Sequence, residues 1–395
     1  HEGNMADVKD DGLAAVADGI ANGKTPGSGR QEEAAARGPK LFLVHLEPRS
    51  ANLGQTLVLA RALHAENWDV HIVCRVSCRL AEAARACSLP VHTIPDTADG
   101  GLLSAWSLVR LVHKLGARKR VTGLLHACDP AASHLVSRAW RLDKKLRVVH
   151  TRRMPIMETS AKVVRWYKMP PAKIITDSLA GKIAMRLSGL EPHLLHTIAS
   201  GIDPSEQPAR RERSDGRVIF AVTGELLPSG GHSLLFDALA FLDKETDLPP
   251  WEVRILGEGP YFQALLEEAQ DKNVARRIAF LGGADTPAQL TLCDILVLPA
   301  SEGESHMPLV LQGWAARLPI VAINRLDHAE NFQAEGNCLL AQPGDARGLA
   351  DRMARLARDA TLCAPLVAGG RASLAKFSVR AMVLDYKRLY RQILA

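Results

Sequence analysis

Short apolar runs alternate with segments of helical spacing from Lys40 to the end of the chain. Lys40–Leu46 reads as a strand, and residues 52–54 read as a turn. Gln55–Glu66 places Leu57, Leu59, Ala60 and Leu63 at helical spacing. Val70–Cys74, Val91–Ile94, Gly123–His126 and Arg147–His150 repeat the strand pattern. Ser77–Cys87, Leu102–Leu115 and Ala131–Trp140 repeat the helical one. Lys173–Thr176 and Leu194–Ile198 look like the last strands of this half. Strands that alternate with helices of 10–15 residues build βαβ units on a parallel sheet. Right-handed crossovers make such a unit doubly wound.

Residues 201–216 are polar and rich in proline and charge, and are expected to be a linker. A second series follows: strands Val218–Val222, Glu252–Leu256, Ile278–Phe280 and Ile295–Leu298, with helices His232–Leu242, Tyr261–Asp271 and Thr286–Cys293. The expected division is an N-terminal extension at 1–39, domains at 40–200 and 217–376, and a final helix at 377–395. That helix carries Val379, Met382, Val383, Tyr386, Leu389, Tyr390 and Ile393 on one stripe. Ligands bind at the carboxyl ends of doubly wound sheets, so two such domains imply a cleft between them.

Composition narrows the class. A chain of 395 residues is too long for one ordinary core, and two domains fit better. Residues 1–39 are rich in Ala, Gly, Asp and Glu without aromatics, which predicts flexibility. No run is long enough for a transmembrane helix, and no signal-peptide pattern opens the chain. The net charge of +6 favours solubility or attraction to an anionic membrane or acceptor. With aromatics at 5% and no nucleic-acid signature, no nucleic-acid partner is expected. The seven cysteines are scattered without zinc spacing, which predicts reduced, mostly core thiols in a cytoplasmic protein.

The most telling segment is residues 299–322. A buried-strand run ends at Pro299, a polar turn carries Glu304, an apolar helix follows, and another strand begins after Pro319. Backbone amides at such a helix start suit a phosphate, with an acidic side chain beside them. The segment resembles the donor loop of retaining glycosyltransferase family 4. Glu304 stands at the first Glu of the Glu-x7-Glu pattern, and Gln312 at the second. Gly313, Trp314, Ala315, Pro319, Val321 and Ala322 follow in register, with Arg317 where Gly is usual. Gly224-Glu-Leu-Leu-Pro-Ser-Gly-Gly and Gly257-Glu-Gly-Pro resemble two further family turns. Val148-Val-His-Thr-Arg-Arg153 resembles members that build bacterial lipopolysaccharide and other surface glycans.

The resemblance implies an α/β GT-B fold: two doubly wound Rossmann-like domains facing a central cleft, with the last helix crossing back to the N-terminal domain. It implies transfer of a sugar, with retention, from a nucleotide-diphosphate sugar to a glycan or lipid-linked acceptor. No cofactor and no metal are expected. Peripheral association with the cytosolic face of the inner membrane is part of the expectation. Glu304 and His150 are the expected catalytic residues. Gly224, Glu225, Gly257, Gly259, Glu304, Ser305, His306, Met307 and Gln312 would line the donor site. The amides of His306, Met307 and Leu309 would face the diphosphate, and Pro308 has none to offer. Gly54, Arg152 and Arg153 would meet the acceptor.

Two departures weaken the family pattern. Glu225 and Gly230 stand where members place an Arg and a Lys against the diphosphate. Gln312 offers an amide where a carboxylate usually binds hydroxyls, so that contact lacks charge assistance. The alternative reading is therefore a weakened GT-B scaffold that binds a glycan, nucleotide or protein; a phosphorylase is a more remote option.

Overall fold

The computed structural model describes residues 40–48, 52–95, 101–116, 123–153, 167–168, 172–208, 210–211, 213–283, 286–303, 305–325 and 329–395. The expected extension at 1–39 lies outside them.

The N-terminal sheet holds β1 (Leu41–His45), β2 (Val70–Arg75), β3 (Val91–Ile94), β4 (Leu124–Ala127), β5 (Arg147–Arg152), β6 (Lys173–Thr176) and β7 (Leu195–Thr197). All pair in parallel in the order β3-β2-β1-β4-β5-β6-β7. The intervening helices are α1 (Leu53–Ala65), α2 (Leu80–Ala86), α3 (Leu102–Gly116), α4 (Pro130–Leu142) and α5 (Leu179–Leu187). The chain winds one way from β1 to β3 and the other way from β4 onward. So α1 and α2 cover one face, while α3, α4 and α5 cover the other.

The second sheet holds β8 (Val218–Thr223), β9 (Trp251–Leu256), β10 (Ile278–Phe280), β11 (Ile295–Leu298), β12 (Ile320–Ile323) and β13 (Leu339–Ala341). Its order is β10-β9-β8-β11-β12-β13, again all parallel. Its helices are α6 (His232–Leu242), α7 (Phe262–Asp271), α8 (Thr286–Leu290), α9 (Met307–Ala315), α10 (Ala346–Arg358) and α11 (Cys363–Leu374). Each sheet reverses winding once, between β1 and β4 and between β8 and β11. These are the two switch points where ligands of such sheets bind.

The last helix, α12 (Val379–Leu394), leaves the second domain and packs on the first. Its Met382, Val383, Tyr386, Leu389 and Tyr390 share one core with Leu41, Leu59, Ile72 and Leu124. The chain crosses between domains twice, and the crossings touch: Ile202 N–H donates to the Phe377 carbonyl at 2.8 Å. Among the described residues no helix is long and apolar enough to cross a membrane.

Candidate functional site at the facing sheet edges

Among the described residues, three contacts hold the two carboxyl edges together. Ser305 N–H, after β11, donates to the Arg153 carbonyl, after β5, at 2.6 Å. Leu179 N–H, after β6, donates to the Glu330 carboxylate, after β12, at 2.8 Å. Arg79, after β2, pairs with Glu258, after β9, at 2.7 Å. The cleft therefore lies between the two switch points.

On the second domain, two turns lie backbone on backbone. Leu226 N–H donates to the Glu258 carbonyl at 2.9 Å, and Tyr261 N–H to the Leu226 carbonyl at 3.2 Å. A Cβ on Gly257 would stand 1.8 Å from the Gly224 carbonyl oxygen, and one on Gly259 2.3 Å from that of Leu226. Only glycine allows this approach. Beside these turns is a cavity of about 340 Å³, lined by Leu226, Gly257, Glu258, Gly259, Phe262, Phe280 and Gly282. Gly257 and Gly259 thus form its wall. The Phe262 and Phe280 rings meet edge to face at 5.3 Å.

The turn after β8 also meets the loop after β11. Gly231 is left-handed at φ +74°, and a Cβ there would stand 2.4 Å from the Pro299 backbone. Gly303 sits against Ser229. Arg325, buried at the end of β12, donates to the Glu302 carbonyl at 2.8 Å and the Gly303 carbonyl at 3.2 Å. Its guanidinium is 3.5 Å from His306 Nε2. Arg325 therefore organises the loop from beneath. Glu304, the expected catalytic carboxylate, lies outside the described residues.

The amides expected to face a phosphate are largely engaged within the protein. Ser305 donates to Arg153, Met307 N–H to Ser305 Oγ at 3.3 Å, and Leu309 N–H to the His306 carbonyl at 2.8 Å. The start of α9 still turns its positive end toward the cleft. Gln312 is half-buried on α9, and Glu225 is half-buried in the turn after β8. Gly230 is closed to a larger residue, because its Cβ would stand 2.6 Å from the buried His232 ring.

On the first domain, Asp129 ties the end of β1 to α4. Its carboxylate accepts from Leu46 N–H at 2.5 Å, Glu47 N–H at 3.2 Å and, as helix cap, Ala132 N–H at 2.7 Å. α12 completes this edge. His126 shares hydrogen bonds with the Tyr390 hydroxyl at 2.7 Å and the Thr151 hydroxyl at 2.6 Å. Burial holds its imidazole down to about pKa 3, with nearby Arg153 acting the same way. Arg153 Nη2 is 3.5 Å from the Tyr386 hydroxyl, and Arg152 donates to the Tyr167 hydroxyl at 3.2 Å. Both arginines are over nine-tenths buried, and neither pairs with a carboxylate among the described residues.

One sequence expectation changes. His150 does not reach the cleft: the pleat of β5 turns it into the sheet–helix layer, fully buried and edge-on to Tyr167 at 5.2 Å. Burial lowers its pKa to about 3, so it is neutral. Gly54 stands exposed in the first turn of α1, with no protein atom within 4 Å of where a Cβ would stand. Sequence reasoning missed Asp129, Tyr386, Tyr390 and the Arg79–Glu258 pair. Asp129 had a signal, since Asp-Pro after a strand marks a helix start.

Residues 217–359 match the model of the family "Glycosyl transferases group 1". The N-acetyl-alpha-D-glucosaminyl L-malate synthase of Bacillus anthracis is 28% identical over 141 residues, 35% of this chain and 37% of that protein. The lipopolysaccharide core biosynthesis glycosyltransferase LpsE of Rhizobium meliloti is 29% identical over 182 residues, 45% of this chain and 50% of that protein. These matches span half or less of the curated relatives. Among solved structures, Anabaena HepE in complex with UDP and glucose superposes with a TM-score of 0.77 at 16% identity. That superposition covers 90% of this chain and 100% of HepE, and the shared fold is GT-B.

Proposed function

With residues 217–359 matching the model of the glycosyl transferases group 1 family on a chain of GT-B fold, we propose that this protein is a metal-independent, retaining glycosyltransferase. It would move a sugar from a nucleotide-diphosphate donor in the second domain to a glycan or lipid-linked acceptor in the first. The setting would be envelope-glycan synthesis at the cytosolic membrane face. The observation that carries this reading is the cavity beside the Gly224–Leu226 turn, which adjoins the loop leading to α9. Its glycine wall and aromatic pair suit a flat base, and the positive start of α9 would favour the diphosphate.

The two cations that family members place here are absent. Arg153 and Arg325 are the buried guanidiniums nearest the loop. A buried charge without a carboxylate partner is costly, so an anionic ligand beside Arg153 would gain by supplying one. Glu304 would accept hydroxyl hydrogen bonds from the sugar and stabilise its developing positive charge. The acceptor hydroxyl would attack as the diphosphate leaves. Ser305 would act by fixing the loop against the first domain, and His306 by completing it.

The test is a thermal-shift panel of nucleotide sugars, beginning with UDP sugars, the class bound by HepE. Binding raises the unfolding midpoint by mass action. Glu304→Ala should then abolish transfer while keeping the fold and the midpoint of the free protein. EDTA should leave transfer unchanged. A second reading, a scaffold that binds without transferring, is favoured by Glu225, by the closed Gly230 and by the engaged amides. Midpoints that respond to no nucleotide or nucleotide sugar would decide for that reading.

A further inference from the structure

The helical layer α3–α4–α5 on the N-terminal domain leaves large apolar side chains in water. Leu103 is 83% exposed and Trp106 54%, with Leu102 beside them in the first turns of α3. On α5, Leu179, Ile183 and Leu187 form an i, i+4, i+8 stripe, and Leu187 is 83% exposed. α3 and α4 pack through one shared core. Ile174 of β6, which supports α5, pairs in register with His150 and faces the same side. So both apolar patches point away from the same sheet face. A helix in a parallel unit starts at the carboxyl edge of its sheet, and Leu179 touches Glu330 across the cleft. The apolar turns therefore flank the mouth of the site.

The helices of this layer carry charge of one sign, and Asp143, which follows α4, pairs with His113 of α3 at 2.8 Å. α3, α4 and α5 contain no acidic residue. Exposed Arg110, Lys114, Arg141 and Arg186 lie on them, and exposed Lys144 and Lys145 follow α4. The Arg110 guanidinium covers the Trp106 ring at 5.4 Å. Lys114 and Arg186 make no ion pair among the described residues. On the opposite face acidic residues are interspersed with the basic ones: Lys387 pairs with Glu66, Arg388 with Asp385 and Arg61 with Glu206.

We propose that the α3–α5 face docks on an anionic lipid bilayer, with Leu102, Leu103, Trp106, Leu179, Ile183 and Leu187 entering the interface and the surrounding Lys and Arg meeting headgroups. Separate apolar islands set among basic residues suit a deformable, negatively charged plane, and Trp and Leu beside Lys and Arg are the side chains such an interface takes. This surface would open the cleft toward a lipid-linked acceptor. The docking rests on the exposed face alone, so it can hold even if the transferase reading fails; nucleotide-sugar binding tests that separately.

The experiment is co-sedimentation of the full chain with vesicles of phosphatidylglycerol and phosphatidylcholine, against pure phosphatidylcholine. We expect binding to the anionic vesicles that falls about tenfold or more when salt rises from 50 to 500 mM, as screening implies. Leu103→Glu with Trp106→Glu should reduce it at least tenfold, and Arg110→Glu with Lys114→Glu likewise. Lys387→Glu with Arg388→Glu, on the opposite face, should change it less than twofold. Circular dichroism confirms that each variant folds; both α3 pairs sit on exposed positions, so a misfolded pair is replaced by Leu187→Glu with Arg186→Glu. Equal binding to both vesicle types, no binding, or equal loss from the opposite-face variant overturns the proposal. So does a wild-type dimer in sedimentation that Leu103→Glu with Trp106→Glu makes monomeric, which would assign the face to a second copy.

Discussion

Arg317 occupies the left-handed position that ends α9, at φ +60°, with Leu318 N–H returning to the Gly313 carbonyl at 2.9 Å. A side chain there costs about 1 kcal/mol relative to glycine, the residue that the family pattern favours. Arg317 is exposed, so Arg317→Gly should raise stability by about that amount in urea unfolding. A loss would show that the contact of Arg210 with the Arg317 carbonyl, at 3.3 Å, depends on the larger residue. Glu225 invites a different change. Adding a cation at 230 as well would force the His232 ring to move, so the informative variant is Glu225→Arg alone. It should tighten nucleoside diphosphate binding several-fold in calorimetry, and less so at high salt. Unchanged affinity would mean that the diphosphate is held from the first domain.

At the scale of elements, β4 and β5 bury titratable rings. His126 and His150 are both held down to about pKa 3 by burial, against 6.5 for a free imidazole. Below pH 6.5 the unfolded chain binds protons that the folded chain refuses, so stability is full above 6.5 and falls as pH drops toward 3. Each histidine steepens that fall by at most about 1.4 kcal/mol per pH unit. Urea midpoints from pH 7.5 to 4.5 should show the decline. His150→Leu should flatten it by about one proton, and a slope identical to wild type would place His150 in water. Because His150 points into the helix layer, the same variant should keep its transfer activity.

For the whole molecule, the linker and the start of α12 form a natural hinge. Both connections cross side by side at Ile202 and Phe377–Ser378. Gly201 N–H and carbonyl are bracketed by the Gln55 side chain at 3.1 and 3.0 Å, which anchors the linker to the first domain. Arg210 and Arg213 anchor its far end to Asp294 of the second. Arg61 of α1 also holds Glu206 to the first domain, so hinge motion of the linker is expected after Glu206. The Arg79–Glu258 pair is solvent-screened and weak, so it can break as the cleft opens. Small-angle scattering should show a smaller radius of gyration with saturating nucleotide sugar than without. Identical profiles would leave the domains rigid.

Local pattern determined much of this protein. Short apolar runs and helical spacing, with turns at Gly224, Gly257 and Pro319, carried both βα series, and the apolar stripe of α12 was visible in seven residues. These features are local because propensity and turn chemistry act over a few residues. Neither α5 nor α10 is among the helices expected from spacing, although Ser178 and Asp345 each cap one. Tertiary structure alone decided which way His150 points. A strand buried on both faces is apolar throughout, so its sequence does not mark its sides. The Ser305–Arg153 bond and the α12 tyrosines at His126 join residues far apart in the chain, which no local spacing encodes. The exposed apolar layer on α3 and α5 is of the same kind: only packing shows which hydrophobic residues the core leaves out.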